Sequence, residues 1–153
     1  MISRIRQTAA WGVLVTASGL LLTGCSSQPP LAPVQGVVTY EGKPVSLGRL
    51  MFAPISETDP AHPGKPAYSK VATDGTYSLK TYKADDGALV GPHLVEFEPG
   101  GEPAGEYRDG KEYAPTAETI QEWRQLRGLV PQSKNVIVVA GKTNIIDIEL
   151  VKP

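Results

Sequence analysis

The sequence predicts an all-β fold, a seven-stranded antiparallel β-sandwich with one short helical insertion. Three observations carry that expectation. Short β-rich runs alternate apolar with polar or charged residues; glycine and proline turns separate them at close spacing; and one stretch alone, 100–128, repeats its apolar residues at helical spacing. The 16 glycines and 14 prolines of this 153-residue chain supply the punctuation.

The first 24 residues are expected to be a signal peptide and to take no part in the mature fold. Arg4 and Arg6 form a short positive region, and an uncharged, largely apolar stretch runs from Thr8 to Leu22, the layout of a secretory leader. That stretch falls short of the roughly 20 apolar residues that favour a permanent spanning helix. Leu22-Thr23-Gly24-Cys25 follows and resembles the bacterial lipobox. Small residues before the cut let the backbone enter a peptidase groove, and the thiol is the nucleophile that accepts the lipid. Cys25 is therefore expected to carry diacylglycerol and to begin the mature chain, a stable anchor once two or three acyl chains each contribute about 0.8 kcal/mol per buried methylene. The expected location is the cell envelope, on the extracytoplasmic side of a membrane. Ser26 in place of an aspartate favours the outer membrane over the inner.

Loss of the leader removes Arg4 and Arg6 from the 15 basic residues, leaving 13 against 16 acidic ones and a net charge of −3. A weakly acidic chain without a basic run gives no electrostatic reason to bind nucleic acid. Cys25 is the sole cysteine, so the fold must be held by its core without a disulfide. Residues 25–33, polar and proline-rich after the cysteine, read as a tether, and 34–153 as the folded domain.

Within that domain the first run is Val34 to Tyr40, ended by Glu41-Gly42, and the second is Val45 to Ala53, with Leu50 and Phe52 opposite Arg49 and Met51. A Pro- and Gly-rich loop leads to Ala67 to Ala72; Thr73-Asp74-Gly75 then predicts a hairpin turn into Thr76 to Tyr82. After Asp85-Asp86-Gly87 comes His93 to Glu98, where Val95 and Phe97 alternate with Glu96 and Glu98. Asn135 to Val139 and Thr143 to Val151 complete the seven, the last alternating Ile146, Ile148 and Leu150 with Asp147 and Glu149. Leu50, Phe52, Leu79, Val95, Phe97, Ile146, Ile148 and Leu150 are the expected inward residues, since side chains two apart share a face.

The insertion, 100–128, begins polar and glycine-rich and continues as a helix over Thr116 to Arg127, with Ile120, Trp123 and Leu126 along one face. Thr119 and Glu122 have the spacing of a capping box, and Gly128 suits the position just beyond the helix. Tyr107, Arg108, Tyr113, Trp123 and Arg124 concentrate residue types enriched at interaction hot spots. They form the candidate binding surface, although Trp123 could instead plug the insertion onto the core.

Val34-Gln35-Gly36-Val37-Val38-Thr39-Tyr40-Glu41-Gly42-Lys43-Pro44-Val45, then Gly48-Arg49-Leu50-Met51-Phe52-Ala53-Pro54 and Ala72-Thr73-Asp74-Gly75-Thr76-Tyr77-Ser78-Leu79, resemble the opening of a carboxypeptidase regulatory-like domain, of transthyretin-like (prealbumin-like) fold. Asp86-Gly87-Ala88-Leu89-Val90-Gly91-Pro92-His93-Leu94-Val95 and Gly141-Lys142-Thr143-Asn144-Ile145-Ile146-Asp147-Ile148-Glu149-Leu150 are similar to the later strands of small lipoproteins of this type, abundant in planctomycete-like bacteria. The resemblance spans most of 34–150 and implies an accessory or binding module. The 100–128 insertion is longer than the usual connection, and Gln132-Ser133-Lys134 stands where a tyrosine is expected nearby.

Chemistry-bearing motifs are scarce. His62 lies in a proline-rich loop and His93 at a strand start; neither belongs to a nucleophile elbow, a phosphate-binding loop or a zinc-protease helix. Asp85 and Asp86, with Asp59 and Asp74, offer oxygen ligands to calcium, but Asp-Gly pairs are also what tight turns require. The expected function is a non-catalytic binding or structural accessory module of the envelope, without cofactor or metal, its partners being the membrane and an envelope protein or glycan. The alternatives are an envelope enzyme using His93 with nearby carboxylates, or a calcium-binding sandwich.

Overall fold

A computed structural model describes residues 30–56 and 58–153. The predicted signal peptide, with Leu22, Thr23, Gly24 and the lipidation site Cys25, lies outside the described residues. No described helix is long and apolar enough to cross a membrane.

In chain order the elements are β1 (Leu31–Ala32), β2 (Val34–Tyr40), β3 (Lys43–Pro44), β4 (Arg49–Pro54), β5 (Ala67–Lys70), β6 (Thr76–Ser78), β7 (Ala88–Leu89), β8 (Gly91–Glu98), β9 (Glu106–Arg108), β10 (Lys111–Tyr113), α1 (Ala117–Leu126), β11 (Val130–Pro131), β12 (Asn135–Val138), β13 (Asn144–Ile145) and β14 (Ile148–Val151). The described residues are mostly β-sheet with one short helix, and each of the seven predicted runs holds a strand. A wholly antiparallel set of seven is not what forms. Among the described residues there are fourteen strand segments, and β2 pairs in parallel with β13 and β14. Most additional segments are two or three residues long, too short for alternation to reveal.

One sheet orders β11-β14-β2-β13, with β3 and β6 also paired to β2; the other orders β12-β8-β4-β5. A single core joins them. Val34, Val38, Tyr77, Ile148 and Leu150 from the first sheet meet Leu50, Phe52, Ala67, Val95, Phe97 and Val138 from the second. Leu50, Phe52, Leu79, Val95, Ile148 and Leu150 are fully enclosed and Phe97 nearly so, as their alternation predicts.

Ile146 is the exception among the predicted inward residues, being only partly buried where it packs against the core. The last run is interrupted there between β13 and β14, although both keep the same register on β2. Ile146 N still donates to the Gln35 carbonyl at 2.9 Å, but Val37 N donates to the Asp147 carboxylate at 3.0 Å in place of a backbone oxygen. Tyr77 Oη donates to the Ile146 carbonyl at 2.5 Å. Gly36 makes the approach possible, because a Cβ there would lie 2.1 Å from that carbonyl oxygen.

The predicted Asp74-Gly75 turn forms, with Gly75 at φ +82°, Ala72 N bonded to the Thr76 carbonyl at 2.9 Å, and Asp74 accepting from Thr76 N and Oγ1 at 3.0 and 2.6 Å. It is more than a hairpin, because β5 belongs to one sheet and β6 to the other. The turn carries the chain across the core, and Ser69 Oγ accepts from Ser78 N at 3.2 Å where the ladder has opened.

The strands give the molecule two distinct poles. At one, Val90 N bonds the Pro30 carbonyl, Ile55 N the Pro92 carbonyl and Asn144 N the Pro33 carbonyl, at 2.8–2.9 Å. β2 and β8 leave this pole in their chain direction and end at the other, where Tyr40, Glu98 and the insertion lie.

Candidate functional site

The insertion splits into two parts with opposite characters. The helix α1 is tied to the sandwich. Its N-cap is Thr116, whose Oγ1 accepts from Thr119 N at 3.2 Å, so the capping box predicted on Thr119 and Glu122 does not form. Glu122 reaches outward instead and accepts from Ser46 N and Oγ at 2.6 and 2.5 Å. Gly128, at φ +77° just beyond Arg127, ends the helix as expected.

Trp123 is buried, with its indole N–H donating to the Gly100 carbonyl at 3.1 Å and the Arg127 guanidinium 5.0 Å over its ring. Leu126 is a full member of the core. Trp123 thus leaves the candidate binding surface, because on this short amphipathic helix it shares the inward face with Leu126. Arg124 remains exposed.

The polar half of the insertion is a hairpin, β9–β10, that the sequence reading did not resolve. Asp109 and Gly110 turn it at φ +49° and +73°, and every residue of both strands is exposed. Tyr107 is 77% and Tyr113 53% exposed. Cross-strand partners share a face, and the register pairs Tyr107 with Glu112, Tyr113 with Glu106, and Lys111 with Arg108. One face therefore presents Glu106, Arg108, Lys111 and Tyr113, with Arg108 ion-paired to Glu106, and the opposite face presents Tyr107 and Glu112. The two tyrosines do not form one platform.

Between α1 and the β2–β3 turn lies an open cleft of about 510 Å³, lined by Tyr40, Glu41, Lys43, Glu122, Gln125 and Lys152 among others. Desolvation and the neighbouring Glu41 raise the Tyr40 phenol above its ordinary value. These residues come from both ends of the domain, so no local spacing could have signalled them.

His93 occupies a different place from the strand-end position expected of it. It is 0% exposed, inside the sandwich, with its ring centroid 6.3 Å from that of Phe52. Nδ1–H donates to the Gly91 carbonyl at 3.0 Å, and Nε2 is buried without a partner. Desolvation lowers its pKa, against a smaller opposing effect of the Gly91 carbonyl. Among the described residues no carboxylate hydrogen-bonds to it, so the chemistry of a general base oriented by an acid is not assembled there. His62 is exposed beside Asp59, Nδ1 3.2 Å from the carboxylate.

Asp86 is fully engaged in its own turn. Its oxygens accept from Thr81, Tyr82 and Lys83 N at 2.7, 2.9 and 2.8 Å. Desolvation pushes its pKa upward, but these three bonds and Lys65 outweigh it and hold the carboxyl below its ordinary value. Asp85, at φ +57°, supplies the left-handed step of the same turn. Asp59, Asp74 and Asp86 serve three separate local structures, and no cluster of three metal-ligating side chains is present among the described residues.

No known family model matches the chain, and no curated protein matches it. Among solved structures it is similar to a DUF3823 family protein from Parabacteroides merdae ATCC 43184, at 17% identity and a TM-score of 0.43, over 82% of this chain and 48% of that one. The chain spans about half the length of that protein.

Proposed function

We propose that this protein is a lipoprotein of the bacterial cell envelope, anchored through Cys25, whose domain is a non-catalytic binding or structural accessory module of the carboxypeptidase regulatory-like type. The seven predicted runs are its sandwich core. The observation that carries the anchor is the continuous order of Arg4, Arg6, the apolar stretch and Leu22-Thr23-Gly24-Cys25. Support for a non-catalytic role comes from His93, which is enclosed against Phe52 and, among the described residues, is bonded by no carboxylate. The partner is an envelope protein or glycan met by the insertion, and the outer membrane is favoured as the site of anchoring.

Intact mass of protein extracted from membranes tests the anchor. A chain starting at Cys25 with added diacylglycerol is expected; a chain starting elsewhere, or Cys25→Ala processed and retained on membranes, refutes it. Crosslinking in native envelopes followed by partner identification tests the module, and release of a chemically altered small molecule by the purified protein would refute the non-catalytic reading.

A further inference from the structure

The tether is shorter than the sequence implies. Leu31–Ala32 already pairs with Ala88–Leu89, Ala32 and Val34 are buried, and Pro30 is fixed through its carbonyl to Val90 N at 2.9 Å. Gly87 lies so close under this segment that a Cβ would stand 1.9 Å from the Ala32 carbonyl oxygen. Five residue steps separate Pro30 from Cys25, a reach of at most about 18 Å fully extended.

Around Pro30 the same pole carries an open apolar groove of about 450 Å³, lined by Ile55, Pro63, Leu89, Val90 and Pro92 among others. Ile55 is 41% exposed on its rim. The β12–β13 turn reaches the same pole, since Val138 pairs with Gly91 and Asn144 bonds to Pro33, and it adds the 44% exposed Val139. Exposed apolar side chains gain by burial in the boundary between headgroups and acyl chains. Charges of both signs flank the groove, Asp59 beside His62 and Lys65 over Tyr82, so the contact is apolar in character and not a basic patch.

We propose that this pole rests on the bilayer surface, with Ile55 and Val139 in the interface. The inference rests on the Cys25 anchor, because it is the anchor's short reach that fixes which pole meets the lipid. β8, eight residues long, then sets the opposite pole about 24 Å further out at ~3.4 Å per residue. The hairpin β9–β10 consequently points away from the membrane, toward whatever the envelope presents.

The test uses the full lipidated protein in vesicles of phosphatidylethanolamine and phosphatidylglycerol. The lipidated Cys25 sulfur is a thioether, so Ile55→Cys, Val139→Cys or Tyr107→Cys supplies a single free thiol for an NBD fluorophore, and intact mass verifies the lipid on each sample. Emission at 55 and 139 is expected to shift to the blue and to lose most of its intensity when spin-labelled lipids are included, while emission at 107 stays unchanged. With the lipid present, unquenched emission at 55 and 139 overturns the docking alone. A blue shift at 55 that spin-labelled lipids do not quench also overturns it, and assigns the groove to a second copy. A mass lacking lipid overturns the anchor itself and the docking with it.

Discussion

His93, Val95 and Phe97 line the inner face of β8, and their spacing of two was legible in the sequence for the hydrophobic pair but was not extended to the histidine. The register that turns Val95 and Phe97 inward must turn His93 inward as well; its polarity suggested a wet strand end. Two outcomes follow from this shared face. Phe97→Ala should cost about 3–5 kcal/mol by denaturant unfolding, because the ring closes the core beside Gly48, where a Cβ would lie 2.5 Å from it. The exposed Glu96→Ala should be nearly silent, and equal melts for the two would show the register to be wrong. For His93, burial depresses the folded pKa below 6.5, so the unfolded chain takes up the proton first. Stability from this residue is complete above the unfolded value and is lost as pH falls from there toward the folded one, with a slope of at most about 1.4 kcal/mol per pH unit. His93→Leu should flatten that part of the stability profile. An unchanged slope between about pH 7 and pH 5 would mean that His93 is not enclosed as described.

At the scale of elements the insertion shows what periodicity can and cannot reveal. The helix was legible because Ile120, Trp123 and Leu126 recur at helical spacing, but its cap was misplaced by one turn, since Glu122 prefers the distant Ser46 to its own helix start. The hairpin β9–β10 went unseen because all six of its strand residues are exposed, and a ribbon with no buried face has no apolar alternation. Its Asp109-Gly110 turn was the one available signal. The cleft beside Lys43 and Lys152 was invisible for a different reason, being assembled only by tertiary contact. These differences divide a deletion in two. Replacing Glu106 to Tyr113 by a short Gly/Ser linker removes no core residue, and the thermal midpoint should stay within a few degrees of the parent. Removing 101–127 takes Trp123, Leu126 and the Glu122 clamp, and should lower stability by several kcal/mol. Equal melting of the two deletions would place Trp123 outside the core.

The whole molecule is closed by contacts between its two ends. Thr39 and Glu149 side chains meet at 2.5 Å across a separation of 110 residues, and β14 lies between β2 and β11. Local pattern gave the strands on both sides of this junction but not the parallel pairing, because alternation states which face a strand buries and leaves its neighbour unspecified. Closing a loop of that length costs about 4 kcal/mol beyond the constant term of loop closure, and the return comes only when Ile148 and Leu150 enter the core opposite Leu50 and Phe52. Parallel, non-local pairing of this kind forms slowly. Until it forms, β2 has neighbours only on its β3 and β6 side, and β11 has none in the sheet. A chain ending at Thr143 should therefore lack a cooperative thermal transition by circular dichroism and be cut rapidly by protease, although it keeps the whole insertion and the complete second sheet. Removing Lys152 and Pro153, which lie beyond the last strand, should leave the transition near that of the parent. If the chain ending at Thr143 instead melts cooperatively close to the parent temperature, the second sheet and the helix are sufficient for the fold, and the junction between the ends is a late addition and not its closure.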